Sequence, residues 1–129
     1  MVLVDTCVFI DFLRGKLLPD FVELVKNGKI LLSPIIKLEL LQGVRTHEAV
    51  TLNRTLRGFT ELEINVETMR VSEKLLVPLK SKGITLGIPD LLIAAQAIQN
   101  NVEFYTTDHL LLKTQAKAWP QLKLFNPKK

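Results

Sequence analysis

The sequence predicts an α/β fold: one three-layer α/β/α domain over residues 1–129, with a central, mainly parallel sheet of four to five short strands. Two observations carry this. Apolar runs too short for helices recur along the chain, and longer helical segments separate them. Short hydrophobic strands alternating with helices form parallel sheets covered on both faces. In such sheets, ligand sites lie beyond the carboxyl ends of the strands.

The elements follow in order. Val2 to Asp5 is a buried strand ending in an acid. Thr6 to Arg14 is helical and stops at Gly15. Pro19 opens a second helix, which continues through Lys26 to the stop Asn27-Gly28. Lys29 to Leu32 is a strand, and Ser33-Pro34 caps a helix running to about Arg45. The next helix starts at Thr46 or His47 and ends near Gly58. Phe59 to Ile64 alternates apolar and polar residues, as a less buried strand does. Asn65 caps a long helix through Lys82, which Pro78 is expected to kink or divide. Gly83 to Gly87 is a loop, and Asp90 to Gln99 is a helix stopped by Asn100-Asn101. Val102 to Thr106 is a strand, Asp108 caps a helix to about Ala118, and Leu122 to Phe125 is a last short strand. Pro127-Lys128-Lys129 reads as a frayed basic tail.

Composition bounds the function. At 129 residues and 47% apolar content the chain suits one globular domain, which can bury about two thirds of its unfolded surface without a disulfide. Cys7 is the only cysteine, which fits a reducing cytoplasm. Asp5 and Asp11 interrupt the opening apolar stretch, and no basic region precedes it, so no signal peptide is expected. No run approaches the ~18 apolar residues of a membrane span. Lys and Arg number 17 against 13 acids, a net charge of +4; setting four acids aside at a site leaves 17 against 9. Such a surface suits a polyanion, although charge alone decides little.

Four acids stand at positions such a fold gathers: Asp5, Glu39, Asp90 and Asp108. Each has an ordinary structural alternative. Asp5 and Asp108 are good helix caps, and Asp90 sits in a helix's first turn, where the dipole favours it. Glu39 is less easily explained, because Leu38, Leu40 and Leu41 beside it and Ile35 and Ile36 one turn away predict a mostly apolar face. Two carboxylates about 4 Å apart repel by roughly 4 kcal/mol at an effective dielectric near 20. A fold of ordinary stability does not collect several without compensation, and Mg²⁺ or Mn²⁺, which take oxygen ligands, supply it. If the acids cluster, Asp5→Asn should raise the melting temperature of the metal-free protein.

Other chemistry is poorly served. His47 and His109, the only histidines, have no partner at ligand spacing. There is no Gly-rich phosphate loop and no nucleophile elbow. Asp5-Thr6-Cys7 lacks the second Asp of an aspartyl-phosphate phosphatase, and Ile64-Asn65 stands where a phospho-receiver needs its Asp.

Taken together, Met1 to Asp11, Glu39 after Ser33-Pro34, Asp90 to Ala95, and Thr106-Thr107-Asp108 resemble a PIN domain, in size and order a VapC-type toxin of a toxin–antitoxin pair. The resemblance covers the whole chain. It implies a Mg²⁺- or Mn²⁺-dependent endoribonuclease in which Asp5, Glu39, Asp90 and Asp108 are the metal-site acids, with Thr106 and Thr6 as supporting polar residues. Asp11 matches a second acid in the first helix of such toxins, outside the core set. Cys7 stands where the family often has Asn or Ser. The resemblance further implies an RNA substrate, a homodimer, and a cognate antitoxin whose tail blocks the groove. Arg14, Lys16, Lys80, Lys82 and Lys113, near element ends, are candidate phosphate-binding cations. A housekeeping PIN nuclease of RNA processing and a non-catalytic binding module of the same fold are the alternatives. Four intact acids disfavour the latter, since a retired site gains stability by losing them.

Overall fold

A computed structural model describes residues 1–127; Lys128 and Lys129, and with them the basic tail, lie outside the described residues. The elements are β1 (Val2–Val4), α1 (Thr6–Leu13), α2 (Pro19–Lys26), β2 (Ile30–Leu32), α3 (Pro34–Gly43), α4 (Thr46–Leu56), β3 (Thr60–Glu61), α5 (Val66–Lys82), α6 (Ile88–Gln99), β4 (Glu103–Tyr105) and α7 (His109–Ala118). The strands form one parallel sheet in the order β3-β2-β1-β4. Val2 of β1 pairs with Ile30 on one side and Glu103 on the other. All of β1 and β2 is buried, as central strands covered on both faces must be. Leu3, Val4 and Leu32 are 0–1% exposed, and each such side chain contributes roughly 1.5–3 kcal/mol by burial.

Local chemistry sets the helix starts. The Ser33 hydroxyl accepts from the Ile35 amide, with Pro34 following as the first helical residue. Asn65 and Thr68 cap α5 reciprocally, each side chain accepting from the other's backbone amide. Gly83, in the left-handed region at φ 67°, ends α5 and turns the chain toward α6. The core closes over α5 and α7, where the Trp119 indole is fully buried and donates to the Leu75 carbonyl at 3.1 Å.

Three expectations need correction. Pro78 does not divide α5, which runs unbroken from Val66 to Lys82. The hydrogen bond it forgoes is to the carbonyl of Lys74, an exposed residue where water can replace it, while Leu75 and Leu79 anchor the helix on the buried side. The strand expected over Phe59 to Ile64 shrinks to Thr60–Glu61, both exposed. It is an edge strand, paired with β2 alone, and the chain leaves the sheet after Leu62 donates to Leu32. The last strand reduces to a single parallel bridge, Phe104 to Leu124, so the sheet has four strands among the described residues. Leu122 is instead a core residue at 2% exposure.

Candidate active site

The carboxyl ends of β1 and β4 lie side by side, and the Asp5 amide donates to the Tyr105 carbonyl at 2.9 Å. This register brings residues about a hundred positions apart into contact. Asp5 is 5% exposed and its carboxylate takes three donors. The Thr6 amide reaches Oδ1 at 2.8 Å, the Thr106 hydroxyl reaches Oδ2 at 2.7 Å, and the Cys7 thiol approaches Oδ2 at 3.5 Å. Burial raises its pKa, these donors oppose the rise, and the charge of Asp108 adds to it.

Thr106 links two acids. Its hydroxyl donates to Asp5 and accepts from the Asp108 amide at 3.1 Å. Asp108 is exposed and caps α7, its Oδ1 accepting from the Leu111 amide at 3.0 Å. The capping role is therefore real for one oxygen, and Oδ2 carries no hydrogen bond among the described residues. Asp90, half-buried in the first turn of α6, has its pKa pushed up to about 6, by burial first and then by the charges of Asp5, Asp108 and Glu39. Charges from three other parts of the chain thus bear on Asp90.

Glu39 differs from its expected setting. It is exposed, while Ile36 and Leu40 hold the buried side of α3. Its charge costs little desolvation, so burial is not what explains it. It stands at the rim of the acid cluster, where the Thr6 hydroxyl donates to Oε1 at 2.9 Å. It also lines a groove with Arg14, Leu13, Leu40, Val44 and Glu48, between α1, α3 and α4.

Other residues sort readily. Asp11 pairs with Lys16 at 3.6 Å, which partly neutralises that cation. Arg14, Lys80, Lys82 and Lys113 are exposed, as are His47 and His109. The sequence reading did not foresee the contacts around Cys7. Its sulfur accepts from the Thr107 hydroxyl at 3.3 Å and the Thr107 amide at 3.5 Å, and lies 3.7 Å from the Thr106 hydroxyl. A thiol therefore fills the polar position with longer, weaker contacts than an amide or hydroxyl makes. The one signal available was its place two residues after Asp5.

The donor set fits a hard divalent ion. It offers carboxylate oxygens, and the mutual charge on Asp90 is relieved by a cation. As the side chains stand, no three of the described Asp, Glu, His and Cys residues approach closely enough to enclose an ion. The acids converge without closing on a common point. A wider hollow beside α2, lined by Leu18, Pro19 and Val22, contains none of them.

The family profile described as "PIN domain" matches residues 2–117. The chain belongs to the PIN-domain family. It is 31% identical over 111 residues to "Ribonuclease VapC19" of Mycobacterium tuberculosis, covering 84% of this chain and 89% of that protein. It is likewise 31% identical over 112 residues to "Ribonuclease VapC" of Rickettsia bellii, covering 81% and 82%. Among solved structures it superposes on VapBC2 from Rickettsia felis bound to a promoter DNA fragment, with a TM-score of 0.81, 23% identity and 98% of each chain covered. DNA-bound VapBC from Salmonella typhimurium gives a TM-score of 0.80 at 17% identity, with 96% of each chain covered. At these identities the structural likeness speaks for the PIN fold. Among the described residues no helix is long and apolar enough to cross a membrane.

Proposed function

We propose that this PIN-domain protein is a Mg²⁺- or Mn²⁺-dependent endoribonuclease, the toxin of a VapBC-type toxin–antitoxin pair, hydrolysing RNA phosphodiesters in the cytoplasm. The carrying observation is the gathering of acids at the carboxyl edge of the sheet: Thr106 bridges Asp5 and Asp108, Thr6 ties Glu39 beside Asp5, and the charges of all three bear on Asp90. The ribonuclease names of the 31%-identical relatives support the reading.

Asp5, Asp90 and Asp108 are the residues that would hold the ion. Asp5 is the fixed member, oriented by Thr6, Cys7 and Thr106. Asp108 keeps one oxygen on its helix and offers the other. A divalent ion held there supplies neutralising charge and Lewis acidity for in-line hydrolysis of the phosphate. Glu39, exposed at the rim, would either join the three aspartates as a ligand or orient the attacking water. No histidine is needed in this scheme. Arg14, Lys80, Lys82 and Lys113, all exposed, meet backbone phosphates, an attraction that weakens with salt. The groove beside Glu39, with apolar Leu13, Leu40 and Val44 and acidic Glu48, supports a cognate antitoxin segment seated there. A homodimer completes the proposed assembly.

The test is cleavage of total cellular RNA with mapping of the new ends. Discrete cuts are expected with Mn²⁺ or Mg²⁺, and none with EDTA or in Asp108→Asn. Cutting that survives EDTA would sink the metal requirement, and no cutting under any ion would sink the nuclease. Growth arrest on induction, relieved by a neighbouring gene product, separates a toxin from an RNA-processing nuclease.

A further inference from the structure

We infer that Thr6 is the positioning residue for Glu39, holding this exposed, long-chained acid at a fixed place relative to Asp5. The inference rests on the nuclease reading and deepens it.

Glu39 is exposed, forms no ion pair among the described residues, and has the Thr6 hydroxyl as its only hydrogen-bond partner there, at 2.9 Å. A free glutamate samples many rotamers, and fixing it costs conformational entropy. Thr6 is suited to set its position. It begins α1, and its own amide is tied to Asp5 Oδ1 at 2.8 Å. Its branched side chain restricts χ1, so the hydroxyl direction follows from the backbone. A stiff donor thus meets a flexible acceptor 33 residues away on another helix. One residue grips two acids, Asp5 through the main chain and Glu39 through the side chain. A threonine serving only as the first residue of a helix needs no partner on another helix.

Thr6→Val removes the hydroxyl but keeps the branch and the amide bond to Asp5, whereas Thr6→Ser keeps the donor. Two readouts apply: the Mn²⁺ Kd by calorimetry, and kcat against KM on an oligonucleotide spanning a cut site mapped in cellular RNA. Loss of one charge-assisted hydrogen bond corresponds to about a tenfold effect, about 1.4 kcal/mol. Thr6→Val is expected to lower kcat by about that factor and to weaken Mn²⁺ binding, with KM for RNA little changed. Thr6→Ser should recover most of both. In a Glu39→Ala background, Thr6→Val should add nothing, because the group it positions is gone. An active parent matched by Thr6→Val overturns the inference while leaving the nuclease standing. So does equal damage in Thr6→Val and Thr6→Ser, or an undiminished effect without Glu39. A parent that neither binds Mn²⁺ nor cuts RNA defeats the nuclease reading itself.

Discussion

Replacing Asp90 by asparagine should stabilise the metal-free protein, and only above a definite pH. The Asp90 pKa rises from 3.8 to about 6 through burial and the charges of Asp5, Asp108 and Glu39. A raised carboxyl pKa means that the fold tolerates the protonated form better. Its full stability is present below 3.8 and is lost as pH rises through about 6. At about 1.36 kcal/mol per pH unit the penalty of the ionised form approaches 3 kcal/mol. Asp90 is only half-buried, so solvent screening reduces this to about 1–2 kcal/mol. The helix dipole of α6 favours the charge by about 0.3–1 kcal/mol, which the asparagine gives up. The net gain for Asp90→Asn at pH 7.5 in EDTA is therefore about 1 kcal/mol, a rise of roughly 3–6 °C in Tm for a domain of this size. At pH 4 the two proteins should melt nearly together, since Asp90 is then protonated in the parent fold. Melting both in EDTA from pH 4 to 8, by circular dichroism, checks this. A lower Tm for Asp90→Asn at pH 7.5, or a difference that does not change with pH, would refute the reasoning.

Other perturbations follow from the hydrogen bonds. Asp5→Asn should gain less than Asp90→Asn, because an asparagine amide presented to the Thr106 hydroxyl and Cys7 thiol loses the acceptor they need; a larger gain in the same melts contradicts this. Thr106→Val removes both the donor to Asp5 and the acceptor for the Asp108 amide, and should cost about 1–3 kcal/mol in urea denaturation, whereas Thr106→Ser should cost much less. Cys7→Ser replaces thiol contacts of 3.3–3.7 Å with a hydroxyl and should keep RNA cleavage within a few-fold of the parent, while Cys7→Val should lower it further.

Much of the scaffold was legible because local chemistry decides it. Val2-Leu3-Val4-Asp5 is too short and too apolar for anything but a buried strand ending at an acid, and β1 is that strand. Ser33-Pro34 and Asn65 announce helix starts that their own side chains complete. The residues that misled are those whose fate depends on neighbours distant in sequence. Whether Phe59 to Ile64 pairs along its length depends on how much of β2 it meets, and only Thr60 and Glu61 do. Pro78 is tolerated where the residue whose carbonyl it abandons, Lys74, is exposed, which no local pattern reveals. Asp5, Asp90 and Asp108 could be chosen from their places at element ends and Glu39 from its apolar neighbours, but the exposure of Glu39 could not be read, because apolar neighbours in sequence do not determine which side of α3 faces the core. The Thr6–Glu39 and Cys7–Thr107 contacts exist only once α1 packs beside α3 and β4 pairs with β1.

The central claim is that these acids form a site for a divalent cation. Calorimetric titration of Mn²⁺ into the parent beside Asp90→Asn tests it most directly, with melting temperatures read on the same samples. The account predicts saturable binding by the parent, a stability gain of about 2.7 kcal/mol at a hundredfold excess over Kd, and a marked loss of both in Asp90→Asn. Absence of binding by the parent, or equal binding by the two proteins, would contradict it.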